Sequence, residues 1–264
     1  MQGIDDDPLP LQAAADELGV HYQTAYRWIR NGRLPARLVE GKYIVTRAEL
    51  ADLKERRRAP GSPNPPGPAR LERQAARMHR ALLDGDEATA RSISQRLIDE
   101  GTSVVELIQS LLVPALRHIG QAWHDGDLTI WVEHRASAIV ERILGELVPN
   151  PRGRRRGTAM VAAVAGDRHS LPTTMAAVAL REANWRVHHL GADMPSEELI
   201  RFCDEHDIDV AVISLANPDP ARRAAETAQR IRDCGTPTIV GGPGRSLDQL
   251  IDAAHTAAAD ERVV

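Results

Sequence analysis

Between residues 71 and 147 apolar side chains return every three or four positions. Met78, Leu82 and Leu83 form one set; Ile93, Leu97 and Ile98 the next; Val104, Leu107, Ile108, Leu111, Leu112, Leu116 and Ile119 a third; Ile139, Ile143, Leu144 and Leu147 the last. Such spacing lines one face of a helix each time. Gly85-Asp86, Gly101-Thr102 and Gly126-Asp127 supply the stops and caps between them. Four helices with short joints predict a bundle. After the basic joint at 151–157 the pattern changes to short β-type runs at 158–165, 186–190, 209–215 and 238–240, with helical runs near 173–183, 196–206, 220–234 and 246–258. That alternation predicts a parallel, Rossmann-like sheet with right-handed crossovers. Residues 261–264 read as a short last strand.

Ahead of the bundle, residues 11–18, 19–20 and 21–29 read as helix, tight turn and helix, with Ala14, Leu18, Val20, Ala25 and Trp28 as the buried positions. Around Trp28 stand Tyr22, Gln23, Thr24, Tyr26, Arg27 and Arg30, residue types that reach base edges and phosphates from a helix in the major groove. Residues 37–40 and 43–45, joined at Gly41-Lys42, suit a two-stranded wing, and Thr46 suits the cap of a last helix. The run GVHYQTAYRWIRNGRLPA with this wing resembles the winged helix-turn-helix of the MerR and excisionase group. By that resemblance Tyr22, Gln23, Thr24, Tyr26, Arg27, Arg30 and Lys42 are candidate contacts to double-stranded operator DNA. Residues 59–69 mix Pro, Gly and Ser too densely for helix or strand and read as a linker.

The chain is thus expected to be multidomain α plus α/β. The expected parts are a DNA-binding module over 1–58, the linker over 59–69, a four-helix bundle over 70–150 and a Rossmann-like domain over 157–264. Aromatic residues make up only 3 % of its 264 residues, which suits Ala-rich helices better than β-sandwiches. The formal charge of −4 argues against a surface coated for nucleic acid. Within residues 1–60 ten Lys or Arg face nine Asp or Glu. One copy is therefore expected to hold DNA weakly, and a homo-oligomer, dimer or tetramer, to set occupancy. Cys203 and Cys234 have neither CxxC nor zinc-site spacing, so a reduced, cytoplasmic protein is expected. Asp5-Asp6-Asp7 is unlike a secretory leader, and no apolar run reaches membrane-spanning length. Arg152 to Arg156 read as a solvated joint, His188 and His189 as surface, and His206 and His255 as lacking evident partners.

Asp167-Arg168-His169 follows the first expected strand, at the edge where open α/β sheets bind ligands. A loop histidine with a carboxylate two residues earlier suits a metal ligand whose other ring nitrogen is fixed by the acid. A simple hydrogen-bonded loop histidine fits the same residues. With forty-one residues between Pro172 and Ser214, and Gly241-Gly242 after the fourth expected strand, the set resembles the D-x-H-x-x-G, S-x-L, G-G signature of methionine-synthase-type corrinoid domains. The resemblance implies His169 as lower axial ligand of cobalt, Asp167 as its hydrogen-bond partner, Ser214 as a contact to the cofactor's nucleotide tail, and Gly241 and Gly242 as clearance for it. Pro172 stands where that pattern has Gly, and Ala216 where it has Leu, so the mouth of the tail channel is in question.

Nine residues stand between Trp123 and Glu133-His134. Following a helix-turn-helix and preceding Asp-x-His, this W-x(9)-E-H pattern resembles the CarH-type light-sensing repressors, whose helical bundle caps adenosylcobalamin. The resemblance implies that Trp123 packs against the 5′-deoxyadenosyl group, Glu133 hydrogen-bonds it and His134 lines the same pocket. His124 matches the position that takes over as upper cobalt ligand after light breaks the cobalt–carbon bond. The function implied is a non-enzymatic regulator that holds DNA as an oligomer in the dark. Two alternatives stay open: a corrinoid methyl carrier serving a methyltransferase, and a regulator that no longer uses cobalamin.

Overall fold

Trp28 is the pivot of the N-terminal module: it is fully buried, and Leu11, Ala14, Leu18, Ala25, Leu34, Val45, Leu50 and Leu53 close around it. In a computed structural model the described residues are 8–20, 22–30, 32–58, 67–151 and 155–260; the expected strand at 261–264 lies outside them. Strand β1 (Pro8–Pro10) leads into α1 (Leu11–Leu18), which ends on Gly19 at φ +65°. The amides of Gly19 and Val20 return to the carbonyls of Asp16 and Ala15, so α2 (Tyr22–Arg30) leaves in a new direction. The wing is β2 (Arg37–Val39) paired with β3 (Lys42–Thr46). β1 adds a third, unexpected strand on the far side of β3. Its two prolines are tolerated because it is an edge strand, with one side of its ladder unpaired. Thr46 and Glu49 cap α3 (Arg47–Arg58) reciprocally: Thr46 Oγ1 accepts from the Glu49 amide at 3.2 Å and Glu49 Oε2 from the Thr46 amide at 2.7 Å.

The helical part begins at α4 (Pro68–Asp84), so residues 68 and 69 belong to a helix and not to the expected linker. Proline is suited to a first helical position, where its fixed φ helps and its missing N–H is not needed. α5 (Glu87–Asp99) is capped by Asp86, whose side chain accepts from the Thr89 amide at 3.0 Å. The third apolar run forms α6 (Val104–Leu107), a π-helical turn (Ile108–Leu112) and α7 (Val113–His124) in continuous sequence. Pro114 explains the interruption, because it offers no amide to the preceding turn and its ring crowds the carbonyl four residues back; a wider turn relieves both. α8 (Ile130–Leu147) follows, burying Val132, Ala136, Ile139, Val140, Ile143 and Leu144.

The chain divides into two compact units, residues 1–139 and 140–264. The second holds a parallel sheet of β4 (Thr158–Val164), β5 (Arg186–Met194), β6 (Val210–Ser214) and β7 (Thr238–Val240) in the order β5-β4-β6-β7. β4 and β6 are buried along their whole length, as central strands covered on both faces must be. Helix α9 (Ser170–Glu182) and α12 (Leu247–Asp260) cover one face; α10 (Ser196–Glu205) and α11 (Ala221–Asp233) cover the other. Order reverses at β4 and β6, whose following loops diverge and leave a crevice at the carboxyl edge. At the opposite edge Gly157 is wedged: a Cβ there would lie 2.7 Å from the buried Trp185 ring and 2.9 Å from Asp209 Oδ2, the atom that accepts from the Thr158 amide.

Two outcomes are expected. Gly157→Ala lowers stability by about 1–3 kcal/mol through this overpacking, read by urea unfolding; an unchanged midpoint contradicts the packing described. Burial, with Cys234 nearby, pushes the Cys203 thiol up to about 11, whereas Cys234 is exposed. A disulfide reagent at neutral pH therefore titrates one thiol in the native chain and the second only on unfolding; two fast thiols contradict this.

Candidate cofactor and nucleic-acid sites

The turn after β4 presents His169, and Asp167 holds it. Asp167 is fully buried, and its Oδ1 accepts from His169 Nδ1 at 2.7 Å and from the His169 amide at 3.2 Å. A carboxylate only accepts, so Nδ1 carries the hydrogen and Nε2 of the neutral ring keeps its lone pair. Oδ2 accepts from the amides of Ala216 at 2.7 Å and Asn217 at 3.4 Å, in the loop after β6. Burial alone would raise this carboxyl, but the Ala216 amide, the His169 ring and amide and the Asn217 amide outweigh it and hold it below the usual carboxylate range. The His169 side chain remains 57 % exposed, with a ring whose second nitrogen is available to a ligand.

The same edge carries Ser214, buried at the end of β6, and Gly241-Gly242 directly after β7. A Cβ at Gly241 would meet only the Ile213 carbonyl oxygen at 3.8 Å, and one at Gly242 only the Leu215 carbonyl oxygen at 3.5 Å. These are ordinary contacts, so the protein itself does not demand glycine; the smooth backbone leaves room for something outside the chain. Pro172 lies in the first turn of α9, which starts at Ser170, earlier than the expected 173, because the first-turn amides need no helical partner. Oriented imidazole, buried carboxylate and glycine cradle together fit a bulky cofactor whose metal would take an imidazole ligand.

In the helical part, Glu133 Oε2 accepts from His134 Nδ1 at 2.7 Å and Oε1 from the Ser137 hydroxyl at 2.8 Å. Trp123 and His124 end α7 exposed; Trp123 shows 43 % of its surface. Sequence reasoning passed over Trp131, 59 % exposed, with the Arg135 guanidinium 5.0 Å from its ring centre and that same guanidinium donating to the Leu83 carbonyl at 2.7 Å.

The DNA-binding module changes one expectation. Thr24 is only 3 % exposed and faces the core, so it cannot reach a base edge. Tyr22 and Tyr26 pack partly against the same core, and Tyr26 meets the Tyr43 ring of the wing edge-on at 5.7 Å. Arg30 and Lys42 are exposed; the side chains of Gln23 and Arg27 lie outside the described residues. Arg33 stacks on Trp28 at 4.9 Å and donates to the Asp99 carbonyl at the end of α5.

Other contacts at the cofactor edge were not foreseen. β5 runs on to Met194, past its expected end at 190, through a bulge after His189 where Gly191 and Asp193 have φ of +85° and +58°. The bulge brings Asp193 against the His169 turn: its amide donates to the Asp167 carbonyl at 2.9 Å and its Oδ1 accepts from the Gly166 amide at 2.7 Å. Arg223 donates to the Ala165 carbonyl. His189 is not a surface residue; it is half-buried and bonded to Thr173. His206 stacks on Phe202 at 4.1 Å and His255 on Trp185 at 6.1 Å, so both have partners. Positive φ at Asp193 was not read from the sequence, because even the residue types enriched there adopt it far less often than Gly.

Comparison with known proteins agrees with this layout. The family model described as a helix-turn-helix domain matches residues 11–58, and two described as B12 binding domain match residues 74–147 and 157–261. The HTH-type transcriptional repressor CarA of Myxococcus xanthus is 27 % identical over 252 residues, covering 90 % of this chain and 78 % of CarA. The repressor CarH of the same organism is 29 % identical over 151 residues, covering 56 % of this chain and 50 % of CarH. Among solved structures, the Methanosarcina barkeri monomethylamine corrinoid protein superposes with a TM-score of 0.53 at 15 % identity over 71 % of this chain and 97 % of its own, a likeness of fold.

Replacing Asp167 by Ala leaves the amides of Ala216 and Asn217 and the His169 ring without their acceptor. We expect a loss of about 2–4 kcal/mol in urea unfolding, since buried donors left unpaired cost about 1–3 kcal/mol each; a loss below about 0.5 kcal/mol would show that the carboxylate does not hold the loops together.

Proposed function

We propose that this chain, a CarH-type regulator in which a helix-turn-helix domain precedes two B12 binding domains, is a repressor that binds adenosylcobalamin and gives up its operator DNA in light. The observation that carries the reading is the buried Asp167 carboxylate orienting His169 at the carboxyl edge of a sheet whose chain also bears a DNA-binding module. When bound, adenosylcobalamin supplies a cobalt–carbon bond that visible light cleaves. His169 Nε2 would ligate the cobalt, with Asp167 raising its basicity through Nδ1. Gly241, Gly242 and Ser214 are proposed to admit the nucleotide tail. Trp123 would pack against the adenosyl group, Glu133 would hydrogen-bond it, His134 would line the same side and His124 would serve as a second cobalt ligand. The functional partition proposed is 1–58 for DNA, 70–150 and 157–264 for cobalamin, in a cytoplasmic homo-oligomer.

On DNA, the exposed Arg30 and Lys42 are assigned to phosphates, and Gln23, Arg27, Tyr22 and Tyr26 to the remaining contacts. The near balance of charge in residues 1–60 makes each copy a weak binder, so repression follows oligomer state. The contact of Arg33 with the end of α5 supports a mechanical link between module and helical part. CarA and CarH are repressors, and this reading needs no turnover.

Two outcomes test it. Loaded with adenosylcobalamin in the dark, the chain should elute as an oligomer that binds operator DNA, and green light should abolish both while changing the visible spectrum; DNA binding that is equal in dark and light contradicts the photoreceptor reading. Arg30→Ala and Lys42→Ala should each weaken binding to all sequences alike and reduce the salt slope by about 1 per copy; loss confined to one operator base would reassign them to base reading.

A further inference from the structure

Three residues after His169 comes a proline, Pro172, and the next residue, Thr173, is fully buried in the first turn of α9. Its hydroxyl lies 2.6 Å from the Ser170 carbonyl oxygen and 2.8 Å from His189 Nε2 on β5. A carbonyl can only accept, so the Thr173 hydroxyl donates to Ser170 and its own oxygen accepts from His189, which fixes the hydrogen of His189 on Nε2. Thr174 Oγ1 donates to the same carbonyl at 3.2 Å. The residue adjoining His169 is thus tied, through one buried hydroxyl, to the edge strand of the sheet.

The strand is shaped for this. His188 and His189 point to opposite faces, as strand alternation requires. His188 meets Phe202 of α10, and His189 meets α9. Pairing with β4 is regular up to Val161 opposite His189, then slips so that Ala162 faces Gly191. The bulge therefore begins directly after His189 and ends at Asp193, which holds the turn from the other side through the Gly166 amide and the Asp167 carbonyl. His169 sits between these two attachments.

We infer that His189 is a positioning residue for the cobalt-ligating loop, setting the aim of His169 through the Thr173 hydroxyl and the Ser170 carbonyl. The inference rests on His169 being the axial ligand. It extends the role of β5 from sheet edge to template: its straight segment anchors the helix that follows the ligand, and its bulge anchors the turn that precedes it. Burial and the nearby Arg181 both keep the His189 ring below its ordinary pKa, against a smaller opposing effect of Glu141, which suits a neutral, one-way donor at this place.

The test uses the full chain loaded with methylcobalamin in the dark, and measures the cofactor's dissociation rate together with the red-to-yellow shift in its spectrum on loss of the lower nitrogen ligand. His189→Leu and Thr173→Val should each speed dissociation about 10- to 100-fold and shift the spectrum toward yellow, the range typical for residues that orient metal ligands. His189→Gln, which keeps an N–H donor at similar reach, should recover most of the red form. Thr173→Val guards against a leucine variant that misfolds. If both disruptive variants dissociate within about twofold of the parent and stay red, or if the glutamine variant is as impaired as the leucine variant, the positioning role is overturned. Failure of the unaltered chain to retain cobalamin would overturn the ligand reading itself, a different and separable result.

Discussion

One carboxylate joins the parts of the carboxyl edge. Asp167 is fully buried, yet stays charged because four hydrogen bonds reach it from two loops, the turn that carries His169 and the loop after β6. Those loops leave adjacent strands in opposite directions, and strand order alone would let them part. Bridging them closes the floor of the crevice and fixes which imidazole nitrogen faces outward. The cost of burying a charge is thereby turned into orientation of a single ring.

The same division of labour recurs elsewhere. In the DNA-binding module Trp28 locks turn and wing, while the capping pair Thr46–Glu49 sets where the last helix starts. In the helical part Pro114 widens one turn without breaking the helix, and Arg135 ties the end of α4 to α8 through the Leu83 carbonyl. Packing of this kind defines rigid pieces, and a regulator works by changing which arrangement of rigid pieces is most populated. A ligand that favours one arrangement of the chain can then be read out as DNA affinity without any catalytic step.

Much of this was legible in the sequence wherever the signal was periodic or local. The apolar spacing of the bundle, the four strands and the helix-turn-helix all rest on short-range repeats, and Asp167 with His169 are two residues apart. What escaped notice depends on strand order or on unusual backbone. Ala216 and Asn217 meet Asp167 only because β6 lies beside β4, and Asp193 reaches the turn only through a left-handed bulge that an aspartate does not advertise. β1 was hidden by its prolines. Thr24 looked like a recognition residue because its neighbours are polar, but the helix turns it inward. His189 looked like surface because paired histidines in a strand face opposite ways and only one of them is covered by α9.

The most direct measurement is electron paramagnetic resonance of the chain loaded with cob(II)alamin after growth on nitrogen-15-labelled histidine. Unlabelled protein should show a three-line splitting from one axial nitrogen, which becomes two-line on labelling and disappears in His169→Ala. A splitting that stays three-line on labelling would mean that the cofactor keeps its own base, and would contradict the assignment of His169 on which the account stands.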